Sequence, residues 1–405
     1  MKMSKLKGID FLRAKLGSKR SRVLLRYKYY EMKNIAKEYG NVIPKQFASL
    51  RPVLGWCAKA ADSVAERIVF EGFSNDGLNL TEIFDLNSAD VLTDSAVLSS
   101  LISACSFIYI SAGEDGYPRL QVIDGSNATG IIDPVTRMLT EGYAVLERGE
   151  TNLPTVEAYF TPDGTFIYRD GEVQEFPNPA PFALLVPLIN RPDPMRPFGH
   201  SRISRACMCL VDSAMRTLKR SEVSAEFYSF PQKYILGLDP EAEQPDKWAA
   251  TISSMLRFDK DSEGDHPVLG QFQQQSMSPY DDQMRTIASM FAGETGLTLD
   301  DLGFSTANPS TPEAIRASHE TLRLTARKAQ RDLAVGFKNA GYLAACVRDE
   351  YAFDRSVLSD TKVLYTPVFE PDAAQLGALG DAILKIQQSF PNYFGEEKLH
   401  ELTGL

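Results

Sequence analysis

Two carboxylate pairs, Asp281-Asp282 and Asp300-Asp301, are the residues of this chain best spaced for chemistry. Adjacent acids can hold Mg2+ or share general acid and base work. The same pairs are common near helix starts, where they complement the positive end of the macrodipole. Both pairs lie beside predicted helix ends, so the sequence leaves the two roles open. The four histidines, His200, His266, His319 and His400, lie far apart, and none has an HExxH or Cys/His zinc spacing. GxGxxG, GxxxxGK[ST] and GxSxG are all absent. No catalytic residue, metal ligand or cofactor is therefore expected. A 405-residue chain without a catalytic constellation points to a structural or binding protein. The competing reading is a Mg-dependent enzyme acting on nucleic acid through Asp281, Asp282, Asp300 and Asp301.

Arg316, Arg323, Arg327 and Arg331 recur on one face of a long predicted helix. Such a row lines a route for a polyanion, or is a solvated face with local partners such as Glu320. The helix is expected to open with Thr311 as N-cap, Pro312 at the first position and Glu313 in the first turn. No proline recurs before Pro367, which permits a run to about Glu350. Ile315, Leu322, Ala326, Ala329, Leu333 and Phe337 give its apolar stripe at spacings of three, four and seven. The stretch that feeds it, 303–311, is polar, carries Pro309 and reads as a loop.

Charge is unevenly placed. The formal net charge is −10, yet residues 1–37 hold twelve Lys/Arg against Asp10 and Glu31. That segment carries +10 and leaves −20 for the remainder. Its cations, among them Lys15, Lys19, Arg20, Arg22 and Arg26, suit nucleic acid, an acidic partner or an acidic surface of the same assembly. A partly helical solubilising tail is the alternative. No run of 18 apolar residues exists, so no membrane span is expected. The basic N-terminus lacks an apolar stretch, so no secretory signal is expected. Five scattered cysteines (57, 105, 207, 209, 346) fit a reducing compartment. Cys207 and Cys209 are read as small buried hydrophobes.

Hydropathy and turn residues predict helices over 21–39, 53–69, 81–87 and 90–105, with Phe70–Phe73 as a turn flanked by aromatics. A β-rich unit follows, with strands at 107–111, 119–123, 128–133, 139–147, 155–161, 165–169 and 184–190. Asp124-Gly125, Asp133-Pro134, Asp163-Gly164 and Asp170-Gly171 separate them, which predicts antiparallel meanders. Helices are expected at 201–228, 246–256, 279–293, 372–389 and 396–402, and strands at 233–237, 268–275 and 362–366.

Four stretches then acquire meaning together. They are ADSVAERIVFEGF (61–73), VPLINRP with PFGHSRI (186–192 and 197–203), AEFYSFPQKYILG (225–237), and TGL followed by NPSTPEAIRA (295–297 and 308–317). In this order they resemble tailed-bacteriophage portal proteins of the SPP1-type group. The resemblance covers about residues 50–340. It implies an α+β, mainly helical, elongated fold. Residues 1–200 would be an N-terminal arm and wing, 201–229 the first stem helix, 230–277 a small αβ clip and 278–296 the second stem helix. Residues 297–311 would be the tunnel loop, 312–369 the long helix with a return wing segment, and 370–405 a short crown. It implies a non-enzymatic dodecameric ring at one capsid vertex, through which double-stranded DNA passes without sequence recognition. Its implied partners are the terminase large subunit, the major capsid and scaffolding proteins and a head-tail adaptor, in a virion assembled in the host cytoplasm and without a membrane. Asp300, Asp301, Phe304, Ser305 and Asn308 would face the channel. Arg316, Arg323, Arg327 and Arg331 would contact neighbouring subunits or lie near DNA. A non-ring minor capsid or adaptor protein remains the other structural alternative.

Overall fold

The computed structural model describes residues 6–38, 47–113, 116–229, 233–236, 268–271, 276–304, 312–369, 373–390, 393, 395 and 399. In chain order the elements are α1 (Ile9–Tyr30), α2 (Trp56–Ala65), β1 (Phe70–Ser74), α3 (Leu80–Asp85), α4 (Ala89–Ser103), β2 (Cys105–Ala112), β3 (Pro118–Ile123), β4 (Ala128–Ile132), β5 (Leu139–Arg148), β6 (Pro154–Phe160), β7 (Gly164–Arg169), β8 (Glu172–Pro177) and β9 (Leu185–Ile189). There follow α5 (Arg205–Ser229), β10 (Lys233–Leu236), β11 (Val268–Gln271), α6 (Ser278–Thr295), α7 (Pro312–Ser318), α8 (Glu320–Arg348), β12 (Lys362–Tyr365) and α9 (Ala373–Ser389). The class is α+β with antiparallel sheets, as expected from the sequence.

The chain divides into two units: one of Met1–Asn34, Gly55–Met208 and Ala292–Leu405, the other of Ile35–Leu54 and Cys209–Phe291. The larger unit holds a five-stranded meander, order β4-β5-β6-β7-β8, and a three-stranded sheet, order β3-β2-β9. In the second sheet β9 is buried at all five positions, because both α4 and α8 pack against it. An edge strand covered in this way reads as a continuous apolar run rather than an alternating one. A further pair joins β1 to β12, from the opposite end of the chain. Phe70, Phe73, Phe84 and Phe337 cluster beneath it with ring centroids 5.3 to 6.2 Å apart. Phe70–Phe73 is therefore a strand and not the turn predicted from sequence.

α1 starts twelve residues earlier than the helix predicted over 21–39, and it ends at Tyr30. Its start is fixed from a distance. The buried Glu141 carboxylate accepts the backbone N–H groups of Lys7 (2.8 Å) and Gly8 (2.9 Å) and the Tyr159 hydroxyl (2.9 Å). An anion beneath the first turn satisfies free donors and complements the helix dipole. Leu12 and Leu16 then pack on Tyr143 and Val145 of β5. Arg13 donates to both oxygens of Glu157 on β6 (3.2 and 2.6 Å), and Tyr143 donates to the same carboxylate. Burial, with the Glu157 contact behind it, pushes the Tyr143 hydroxyl well above its usual range. Residues 9–30 are thus docked on the sheet rather than forming a loose arm.

β8 is a strand the sequence reading did not contain, and all six of its residues are exposed. The predicted single helix from Pro312 to about Glu350 is two helices, interrupted at His319. In α8, Leu322, Ala326, Ala329, Leu333 and Phe337 are buried as expected, whereas Ile315 of α7 is 49% exposed. The interruption takes α7 out of register with the stripe. Cys207 is buried but Cys209 is exposed, because neighbours two apart on a helix point to different faces.

In the smaller unit β10 and β11 form an antiparallel pair. Ser224 and Tyr280 share a hydrogen bond through their hydroxyls (2.7 Å). Lys219 pairs with Glu38 (3.3 Å). Val211, Ala214, Met215, Val223, Ile287, Ala288 and Phe291 are buried. The helix predicted at 246–256 and most of the one at 396–402 lie outside the described residues.

Candidate functional site

The described part of the loop between α6 and α7 is a compact knot. α6 ends at Thr295, and Gly296 turns the chain at φ 71, where a Cβ would stand 2.8 Å from Thr321 Cγ2. Only glycine meets both conditions without strain. Thr298 donates to Asp301 Oδ2 from its backbone N–H (2.8 Å) and its hydroxyl (2.9 Å). Asp301 returns its own N–H to the Thr298 hydroxyl (3.2 Å). Asp300–Leu302 makes one 3-10 turn, closed by Gly303 at φ 88. Phe304 then donates its N–H to the Leu299 carbonyl (3.0 Å), and its ring meets the buried Trp56 ring edge-on, with centroids 6.4 Å apart.

The knot is tied from two sides. His319 Nε2 lies 3.4 Å from the Asp301 carboxylate, and its Nδ1 lies 2.9 Å from the Ile315 carbonyl. The residue that breaks the helix therefore links the entry of the loop to the helices after it. On the other side the buried Arg202 donates Nε to the Ala60 carbonyl (3.1 Å) and an Nη to the Thr295 carbonyl. Burial pulls the Arg202 guanidinium down to about 10, with Arg191 adding to the effect. One side chain thus joins α2 to the last residue of α6.

Asp301 holds this root through the two hydrogen bonds that its Oδ2 accepts from Thr298. Among the described residues no group of three or more His, Cys, Asp and Glu is gathered to hold one. Asp281 and Asp282 are exposed residues near the start of α6. Ser305 and Asn308, with the expected Thr311 cap, lie outside the described residues. Arg323 is held by Glu320 through two hydrogen bonds of 2.7 Å, while Arg327 and Arg331 are exposed. Arg316 is partly covered.

The basic residues of α1 are placed by packing. Lys15 donates to the Gly130 carbonyl (2.7 Å), Lys19 lies over the Phe107 and Phe198 rings, and Arg20 donates to Asn152 (3.1 Å). Arg26 donates to the Arg22 carbonyl (3.1 Å). Arg202, His319, Thr298 and Trp56 escaped the sequence reading. SRI at 201–203 belongs to one of the portal-like stretches, but nothing local distinguishes a buried arginine from an exposed one.

No family model matches the chain. The portal protein of Mycobacterium phage L5 is 27% identical over 319 residues, which is 73% of this chain and 65% of that protein. The portal protein of Mycobacterium phage D29 is 27% identical over 318 residues, with the same shares. The match thus spans just under two thirds of the length of these relatives. Among solved structures, a chain from the virion of a native gene transfer agent particle aligns with a TM-score of 0.44 at 13% identity, over 95% of this chain and 99% of that one. A chain from the neck of that particle, computed with C12 symmetry, gives 0.45 at 13% identity, over 93% and 97%. Across most of its length the sequence is similar to portal proteins of mycobacteriophages.

Proposed function

We propose that this chain is a portal protein of a tailed-phage-like particle. Its copies would form a dodecameric ring at one capsid vertex, the channel for double-stranded DNA in packaging and ejection. The ring would receive the terminase large subunit and later a head-tail adaptor, and sit among major capsid and scaffolding proteins in the virion. The observation that carries this is the 27% identity to two portal proteins over 73% of the chain. In this reading 201–229 and 278–296 are stem helices, 230–277 the clip, 297–311 the tunnel loop and 370–405 the crown. No residue is assigned to catalysis.

The loop root supports the reading physically. Residues 297–311 contain no Lys or Arg but do contain Asp300 and Asp301. Phosphate contacts supply most non-specific affinity for DNA, and a cationic loop would act as a brake. A charge of −10 repeated around a ring likewise favours passage over capture.

Sizing the purified protein by native mass spectrometry, with top views by negative stain, tests the proposal. Closed rings are the expected result. A chain that stays monomeric at every concentration, also with capsid and scaffolding proteins present, would overturn it.

A further inference from the structure

The five-stranded sheet has two unlike edges. α1 lies across its face and passes the β4 edge, where Lys15 reaches Gly130. From there Lys15, Lys19, Arg22 and Arg26 follow one another at steps of four, three and four residues, about 6, 4.5 and 6 Å along the helix axis. The Lys15 and Lys19 ammoniums stand 5.0 and 5.2 Å from the centre of the Phe198 ring. Among the described residues none of the four cations pairs with a carboxylate. The Arg26 Nε is buried without an acceptor. Burial foremost, and then repulsion from one another and from Arg196, pulls Lys15, Lys19 and Arg26 downward. Asp124, the carboxylate facing the row, already accepts from the Ser126 N–H (2.6 Å) and from Asn127 (2.7 Å). Beside the row Phe11 and Leu25 are 43% and 45% exposed, with Ala14, Ser18 and Ser21 between them.

The opposite edge is β8, four strand spacings or about 19 Å away. Among the described residues it pairs only with β7, and it leaves Val173 and Phe176 53% and 47% exposed. It carries Glu172 and Glu175, neither of which pairs with a cation among the described residues. An exposed edge with apolar side chains is a surface that proteins ordinarily cover.

We propose that the far end of the α1 cation row, Arg22 and Arg26, docks on the β8 edge of a second copy of this chain. The two surfaces complement each other in charge, and each brings an uncovered apolar flank. They lie at opposite edges of one sheet, so the contact is heterologous and can repeat from subunit to subunit until the ring closes. Outside residues 1–37 the chain carries −20, which makes another copy an abundant source of carboxylates. A phosphate backbone would satisfy the cations but leave Phe11 and Leu25 uncovered, whereas a protein interface pairs an apolar centre with a polar rim. This inference rests on the ring reading above.

Three variants decide it: Arg22→Glu with Arg26→Glu, Glu172→Lys with Glu175→Lys, and all four changes together. Mass photometry gives the concentration of half-assembly, and thermal melts check folding. Each pair alone is expected to raise that concentration on the order of tenfold, and the combination to recover most of the loss. Unchanged assembly in either pair, or no recovery in the combination, overturns the docking. Intact rings with weaker, less salt-sensitive binding of a short duplex would instead give the row to nucleic acid, also overturning it. Should reversal at Arg26 prevent folding, Arg22→Gln and Glu172→Gln carry the same comparison, with a smaller increase expected in each. A wild-type chain that never assembles refutes the ring reading itself, before any variant is compared.

Discussion

The Asp301 carboxylate shows how one side chain can be read two ways. Burial alone would raise its pKa, but the Thr298 N–H, the Thr298 hydroxyl and His319 together hold it below the usual carboxylate range. A depressed value in the folded state means that the stabilisation is complete above the unfolded value, about 3.9, and is lost as pH falls through the folded one. Asp301→Asn is therefore expected to lower stability at pH 7 by about 1 kcal/mol, a charge-assisted hydrogen bond reduced by solvent screening at a partly exposed carboxylate. Urea midpoints of variant and wild type should draw together as pH falls below the usual carboxylate range; a gap that does not narrow there would show that the charge is not what holds the root. The acidic pair was visible in the sequence. Its partner was not, because His319 lies eighteen residues on and carries no local mark of the contact.

At the scale of elements, Gly336 explains how α8 meets β9. A Cβ there would stand 2.9 Å from Leu188 Cγ and 3.0 Å from the Pro187 carbonyl oxygen. Glycine inside a helix costs about 1 kcal/mol relative to alanine, so sequence alone marks the position as a defect. The close approach reverses that judgement. Gly336→Val is expected to destabilise by about 1–3 kcal/mol through overpacking, measured by urea denaturation; an unchanged midpoint would mean that the helix can move away freely. The stripe from Leu322 to Phe337 was legible because its period is local. β1 was not, because its partner β12 comes from the far end of the chain. The start of α1 was hidden for the same reason, since Glu141 supplies its anchor. β8 escaped because EVQEFP has no buried face, and a strand exposed on both sides shows no alternation.

For the whole molecule, the arginines of α7 and α8 separate into two kinds. Arg323 already has a bidentate partner in Glu320, whereas Arg327 is exposed on the same helix. On the portal reading proposed above, Arg327→Glu is expected to impair ring assembly more than Arg323→Glu, read as the concentration of half-assembly, and before any defect in DNA passage. On the same reading, intact rings that fail to package would assign Arg327 to DNA rather than to a neighbouring subunit. The number of copies in the proposed ring can be approached through another feature of the chain. Four of its five thiols are buried and Cys209 alone is exposed. A maleimide fluorophore will therefore attach at one position per chain in the unaltered protein. Stepwise photobleaching of single labelled particles then counts their copies directly, without any engineered residue.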